Sequence, residues 1–131
     1  MFVHVDPSNG LAIYDQIVRQ VKFAVASDAL RPGNLVPSVR ELARDLTVNP
    51  NTVARAYREL QADNVLQALR GTGLEITPSA PKKCLADRAA LIRGRLRSVL
   101  VEARQSGLPA DEIRSLTEQE LARLEPERDP S

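Results

Sequence analysis

The sequence predicts a mainly α-helical chain with one small β-hairpin, and three observations carry that prediction. Apolar residues recur at three- and four-residue spacing in five separate segments. Two short apolar runs, Val65 to Leu69 and Leu74 to Thr77, flank Arg70-Gly71-Thr72-Gly73, a connection suited to a hairpin. Aromatic residues are only 3% of the 131 residues, so the 43% hydrophobic content must build its core from Leu, Val, Ala and Ile.

Taken in order, Phe2-Val3-His4-Val5 alternates and predicts a small edge strand, followed by a turn at Asp6-Pro7-Ser8-Asn9-Gly10. Ile13, Ile17, Val21, Ala24 and Val25 place a first helix between Ala12 and about Leu30, stopped by Arg31-Pro32-Gly33. Ser38 and Glu41 form a Ser-x-x-Glu capping box, which opens a short second helix ending near Leu46. After Thr47-Val48, Asn49 is a good N-cap and Pro50 is tolerated at the first helical position, so a third helix runs to about Ala62. The hairpin follows. Leu85, Ala89, Ile92, Leu96, Val99 and Ala103 then alternate steps of four and three along a fourth helix capped by Gly107. A fifth runs from about Pro109 to Leu124, with Ile113, Leu116, Leu121 and Leu124 roughly on one face.

This order is that of a winged helix-turn-helix over 1–77. A linker over 78–84 with two prolines, a two-helix dimerisation segment over 85–125 and a tail over 126–131 complete the expected organisation. The stripe from Leu85 to Ala103 is longer than the last helix can cover, which implies a second copy of the chain.

Several function classes are excluded at this stage. His4 and Cys84 are the single His and Cys, so neither a metal site built on such ligands nor a histidine-activated nucleophile can be assembled. No catalytic residue, metal or cofactor is expected, and His4 reads as a surface residue. One cysteine fits a reducing interior. No run approaches the length of a membrane span, and no signal peptide is read at the N-terminus. The expected compartment is cytoplasmic.

Net charge is +1, and up to residue 80 eight basic residues face eight acidic ones. Nucleic-acid binding must then come from placement rather than bulk charge. At about 100° per residue, Val53, Ala56, Tyr57 and Leu60 gather on one side of the third helix. Asn51, Arg55, Arg58 and Ala62 gather on the other. Asn can pair with adenine and Arg with guanine, and either can hold a phosphate. Asn51 and Thr52 lie in the first turn, where backbone amides also favour a phosphate oxygen. Arg55 is the first candidate for a base contact; Arg58, deeper along the helix, suits the backbone. Asn49 reads mainly as a cap.

The blocks Pro37-Ser38-Val39-Arg40-Glu41-Leu42-Ala43 and Asn51-Thr52-Val53-Ala54-Arg55-Ala56-Tyr57, followed by Arg70-Gly71-Thr72-Gly73, resemble the DNA-binding domain of GntR-family repressors. With Asp6-Pro7, Ile13-Tyr14 and Gln16-Ile17, the likeness covers about residues 3–77 and extends by length and helical pattern to the YtrA-type branch. The resemblance implies a homodimeric regulator, a repressor by type, that binds a palindromic double-stranded operator. It gives DNA contacts to Ser38 and Arg40 on the second helix and to Asn49, Asn51 and Thr52 at the recognition-helix start. The wing, Arg70, Gly71, Thr72 and Gly73, approaches the minor groove. Pro50 and Ala54 stand where many relatives carry arginines, which shifts weight onto Arg55. Glu75 replaces a usual wing aromatic.

Two-fold binding implies half-sites about 10 base pairs apart, or a multiple of that. The arginines of the fourth helix read as a solvated face paired with the acidic fifth helix, with extra phosphate contact as the alternative. A small-molecule effector is compatible with this reading, but about fifty C-terminal residues leave little room for an ordinary ligand pocket. The alternative is a winged helix serving only as a protein-interaction module. Such a module calls for an apolar patch on the outward stripe, where this sequence has Asn51, Arg55 and Arg58.

Overall fold

The computed structural model describes residues 3–125. Among them are α1 (Ile13–Ala26), α2 (Val39–Leu46), α3 (Pro50–Ala62), β1 (Leu66–Leu69), β2 (Gly73–Ile76), α4 (Ala80–Gln105) and α5 (Ala110–Leu124). The chain divides into two compact units, Met1–Leu91 and Ile92–Ser131. The fold class and the order of the five helices and the hairpin are those predicted, a winged helix-turn-helix followed by helices.

In the first unit α1 and α2 pack on α3. Ile17, Val21, Leu42, Val53, Ala56, Leu60, Val65 and Ile76 are fully shielded from water. The predicted capping box forms: Ser38 Oγ accepts from Glu41 N at 3.1 Å, and Ser38 N donates to Glu41 Oε1 at 3.3 Å. Thr47 makes the tight turn between α2 and α3 with φ 56° and ψ 49°. A β-branched residue in that region costs about 1–2 kcal/mol. It is held there because Thr47 N and Val48 N bond the last carbonyls of α2.

Four differences from the sequence expectations have physical causes. Residues 3–5 form no strand. Their backbone is bonded by side chains instead: Gln20 bonds both N and O of His4, and Gln16 receives from Asp6 N at 2.8 Å and donates to Asp6 O at 2.8 Å. Phe2 lies outside the described residues. Helix α1 ends at Ala26 rather than near Leu30, because Asp28 takes φ 67° and Ala29 N and Leu30 N both turn back to Ala24 O.

Next, the segment before the hairpin adds an edge to the sheet. Leu35 bridges Glu75, Gly33 N donates to Ile76 O, and Val36 N donates to Leu74 O. The β1–β2 pair is antiparallel, with Leu66 opposite Ile76 and Leu69 opposite Gly73. Finally, the expected linker over 78–84 is largely helix, since α4 begins at Ala80. Pro81 falls in the first turn, where no intrahelical N–H is required of it. Ala80 and Cys84 are buried against the first unit's core, which fixes this turn. The tail 126–131 lies outside the described residues.

The second unit is built differently. From Ile92 to Glu125 no described residue is buried. Helix α4 ends at Gln105, before Gly107, and α5 follows Pro109. Leu96, Val99, Leu100 and Ala103 of α4 and Ile113 and Leu116 of α5 line one shared apolar groove.

Candidate nucleic-acid interface

Helix α3 is oriented by its apolar side. Val53, Ala56, Tyr57 and Leu60 are buried, and Tyr57 adds a hydrogen bond from its hydroxyl to Pro37 O at 2.7 Å. Burial, with the Glu41 carboxylate nearby, pushes this phenol well above its ordinary pKa. It therefore stays a neutral donor across the physiological range. With that side fixed, Asn51, Arg55, Arg58 and Ala62 are exposed, as the helical spacing predicts, while Thr52 and Ala54 are half-buried.

Arg55 has a partner that the sequence did not announce. Its guanidinium lies over the Tyr14 ring, 3.7 Å from the ring centre, which ties the outward face of α3 to the start of α1. Such a contact contributes about 0.5–2 kcal/mol and leaves the in-plane N–H donors of the guanidinium available. Tyr14 appeared in the sequence only within the family-like Ile13-Tyr14 pair, with no local feature pairing it to Arg55.

The other candidates fall into groups. Ser38 and Asn49 both act as caps: Asn49 Oδ1 accepts from Asn51 N at 2.8 Å. Arg40 is exposed in the first turn of α2, beside the capping box. The wing residues Arg70, Gly71, Thr72 and Gly73 are all exposed. Gly71 at φ 74° and Gly73 at φ 120° occupy backbone regions that favour glycine, which lets the hairpin turn within so few residues. Thr72 N closes the turn onto Leu69 O at 3.0 Å. Glu75, in the place of an aromatic, accepts from Gln67 Nε2 at 2.8 Å across the two strands, which secures the wing by polar pairing. Ser38, Glu41 and Tyr57 share a groove with Thr72, Gly73 and Leu74, so the α2 start and the wing lie side by side.

One ionic cluster braces this scaffold from behind. Lys22 of α1, only 7% exposed, bonds Asp63 at the end of α3 at 2.8 Å and lies 3.9 Å from Asp87 of α4. The Lys22 ammonium holds the Asp63 carboxyl below its ordinary range. Burial pushes the neighbouring Cys84 thiol up, so it packs as a small apolar group.

A protein-family model for bacterial regulatory proteins of the gntR family matches residues 13–76, the helices and wing just described. The transcriptional repressor YtrA of Bacillus subtilis is 32% identical over 111 residues, covering 85% of this chain and 85% of that protein. The chain belongs to the GntR family. Its likeness to YtrA along both units places it in the YtrA-type branch. Among solved structures, a GntR family transcriptional regulator from Listeria monocytogenes superposes with TM-score 0.65 at 29% identity, covering 86% of this chain and 97% of that one. YtrA from Sulfolobus acidocaldarius gives TM-score 0.57 at 28% identity over 73% of this chain and 99% of its own. As a GntR-family protein the chain is a transcriptional regulator with a DNA-binding domain, not an enzyme. No helix among the described residues is long and apolar enough to cross a membrane.

Proposed function

We propose that this GntR-family regulator is a cytoplasmic repressor that binds a palindromic operator as a homodimer, with α3 in the major groove. The observation that carries the reading is the outward stripe of α3. Asn51, Arg55 and Arg58 stand exposed over a fully packed inner face, the polarity a groove requires and an interaction scaffold would not have. Asn51 and Arg55 meet base edges or the phosphates beside them. Arg58, Arg40 and the first-turn Thr52 hold the backbone. Arg70 and Thr72 reach the minor groove from the wing, with Gly71 and Gly73 allowing the approach. Ser38 and Asn49 act through the helix starts they cap. Stacking on Tyr14 presents the Arg55 fork in a fixed orientation, which favours a two-pronged contact.

Homodimerisation is supported by the apolar stripe of α4. Leu85, Ile92, Leu96 and Val99 remain 48–58% exposed along one stripe of α4, joined by Ala89 and by half-buried Ala103. Covering such a stripe with a second copy removes apolar surface from water and doubles the DNA contacts.

The test is selection of bound sequences from a random double-stranded pool at fixed salt. The expected product is an inverted repeat with half-sites about 10 base pairs apart or a multiple of that. An enriched single half-site would remove the two-fold reading. No enrichment, with binding that depends on salt alone, would remove sequence-specific recognition.

A further inference from the structure

The chain has two tyrosines, and the fold uses them differently. Tyr57 is spent inside the first unit, its hydroxyl donating to Pro37 O at 2.7 Å. Tyr14, in the first turn of α1, is half-buried. Among the described residues its hydroxyl has no hydrogen-bond partner, and it stays open to water. A tyrosine with a held ring and a free hydroxyl suits an interface, because it offers a donor at little entropic cost.

What holds the ring indicates which interface. The Arg55 guanidinium lies 3.7 Å from the ring centre. That separation fits face-to-face stacking, since an N–H aimed into the ring would hold the central carbon farther off. Stacked in this way, the donors of the fork point along its own plane, past the ring edge. Arg55 is exposed on the outward stripe of α3, so Tyr14 extends that stripe onto α1. Asp15, the acidic residue of the same turn, is bonded by Arg19 at 3.2 Å, so its charge is compensated within α1.

A free arginine gives up side-chain freedom on binding, whereas one already stacked gives up less and meets acceptors lying in its plane. Guanine presents such acceptors, O6 and N7, side by side on its major-groove edge. A helix in the major groove has sugar-phosphate strands along both walls. A donor standing beside that helix, supplied by α1 rather than α3, meets the wall.

We infer that Tyr14 is a DNA-binding residue that acts with Arg55 as one unit: its ring sets the Arg55 fork on a guanine, and its hydroxyl donates to a phosphate beside that base. It rests on the proposed entry of α3 into the major groove, and it deepens that reading by naming the base and a contact from α1.

The experiment compares the full-length chain with Tyr14→Phe, Tyr14→Leu, Arg55→Ala and the double variant of Tyr14→Leu with Arg55→Ala. Each is titrated on the selected operator, on the operator with adenine in place of the guanine at the position that Arg55→Ala relaxes, and on random DNA. Circular dichroism melts establish that each variant is folded at the assay temperature. Tyr14→Phe keeps the ring and should weaken binding to all three duplexes alike, by about three- to tenfold. Its salt dependence should not change, because no cation is lost. Tyr14→Leu should show that uniform loss and also lower the preference for guanine by about three- to tenfold. In the Arg55→Ala background the effect on preference should vanish while the uniform loss persists.

Tyr14→Phe binding as tightly as the unmodified chain would overturn the hydroxyl contact. A guanine preference untouched by Tyr14→Leu would overturn the positioning role, and an operator without guanine at the position relaxed by Arg55→Ala would overturn the base assignment. An unmodified chain that selects no sequence at all would instead remove the groove reading itself.

Discussion

The two units of this protein use apolar residues in opposite ways. In the first, leucine, valine and isoleucine side chains such as Val21, Leu42, Leu60 and Ile76 vanish completely from solvent, and among the described residues every buried side-chain polar atom has a partner. In the second, Leu116 and Leu121 remain 46% and 57% exposed, and none of the described side chains is buried. The first unit is thus a finished fold whose exterior is free to present polar chemistry. The second has an apolar exterior that water penalises, so its stability depends on what it meets. The proposed division of recognition to the first unit and assembly to the second follows that physical contrast.

The strongest way to break this contrast is to charge the second unit's stripe. Leu96→Glu should cost about 3–5 kcal/mol of dimer stability, as an unpaired charge forced into an interface does. Sedimentation should then find monomers, with operator affinity falling in parallel; a persisting dimer would mean the stripe is not the interface. In the first unit, Leu60→Ala should lower unfolding free energy by about 2–5 kcal/mol, with little dependence on protein concentration. Denaturant melts across a concentration series distinguish the two behaviours, and a concentration-dependent loss for Leu60→Ala would blur the division.

The recognition surface gives a smaller effect. Arg55→Ala should weaken operator binding by about 1–3 kcal/mol and relax preference at one base position, while leaving the dimer intact. Titrations on operator and random DNA decide the role, since equal losses on both would assign Arg55 to a phosphate. Tyr14→Leu, which removes the ring beneath the guanidinium, should reproduce part of that loss.

The smallest effect concerns the brace behind the first unit. Asp63 has its carboxyl pKa depressed in the folded state by Lys22, so its ionised form favours folding. That contribution is fully present above the ordinary value of 3.8 and is lost as pH falls below it toward the folded-state pKa. Asp63→Asn should flatten this acid limb of a stability-against-pH curve without affecting dimerisation. An unchanged limb would place the acid sensitivity elsewhere.

The sequence by itself determined where the elements lie when the cause is local. Ser38 and Glu41, Asn49 and Pro50, and the glycines of the wing each act within a few residues, so helix starts and the hairpin were legible. The polar outer stripe of α3 followed from helical spacing alone. Only the tertiary structure decided which distant groups complete them. Leu35 joins the sheet through Glu75, Arg55 stacks on Tyr14, Gln16 and Gln20 take up the backbone of residues 4–6, and the core claims Ala80 and Cys84 as the first turns of a helix where prolines suggested a linker. Each of these depends on partners far apart in the chain, and such pairings leave no periodicity or motif to read.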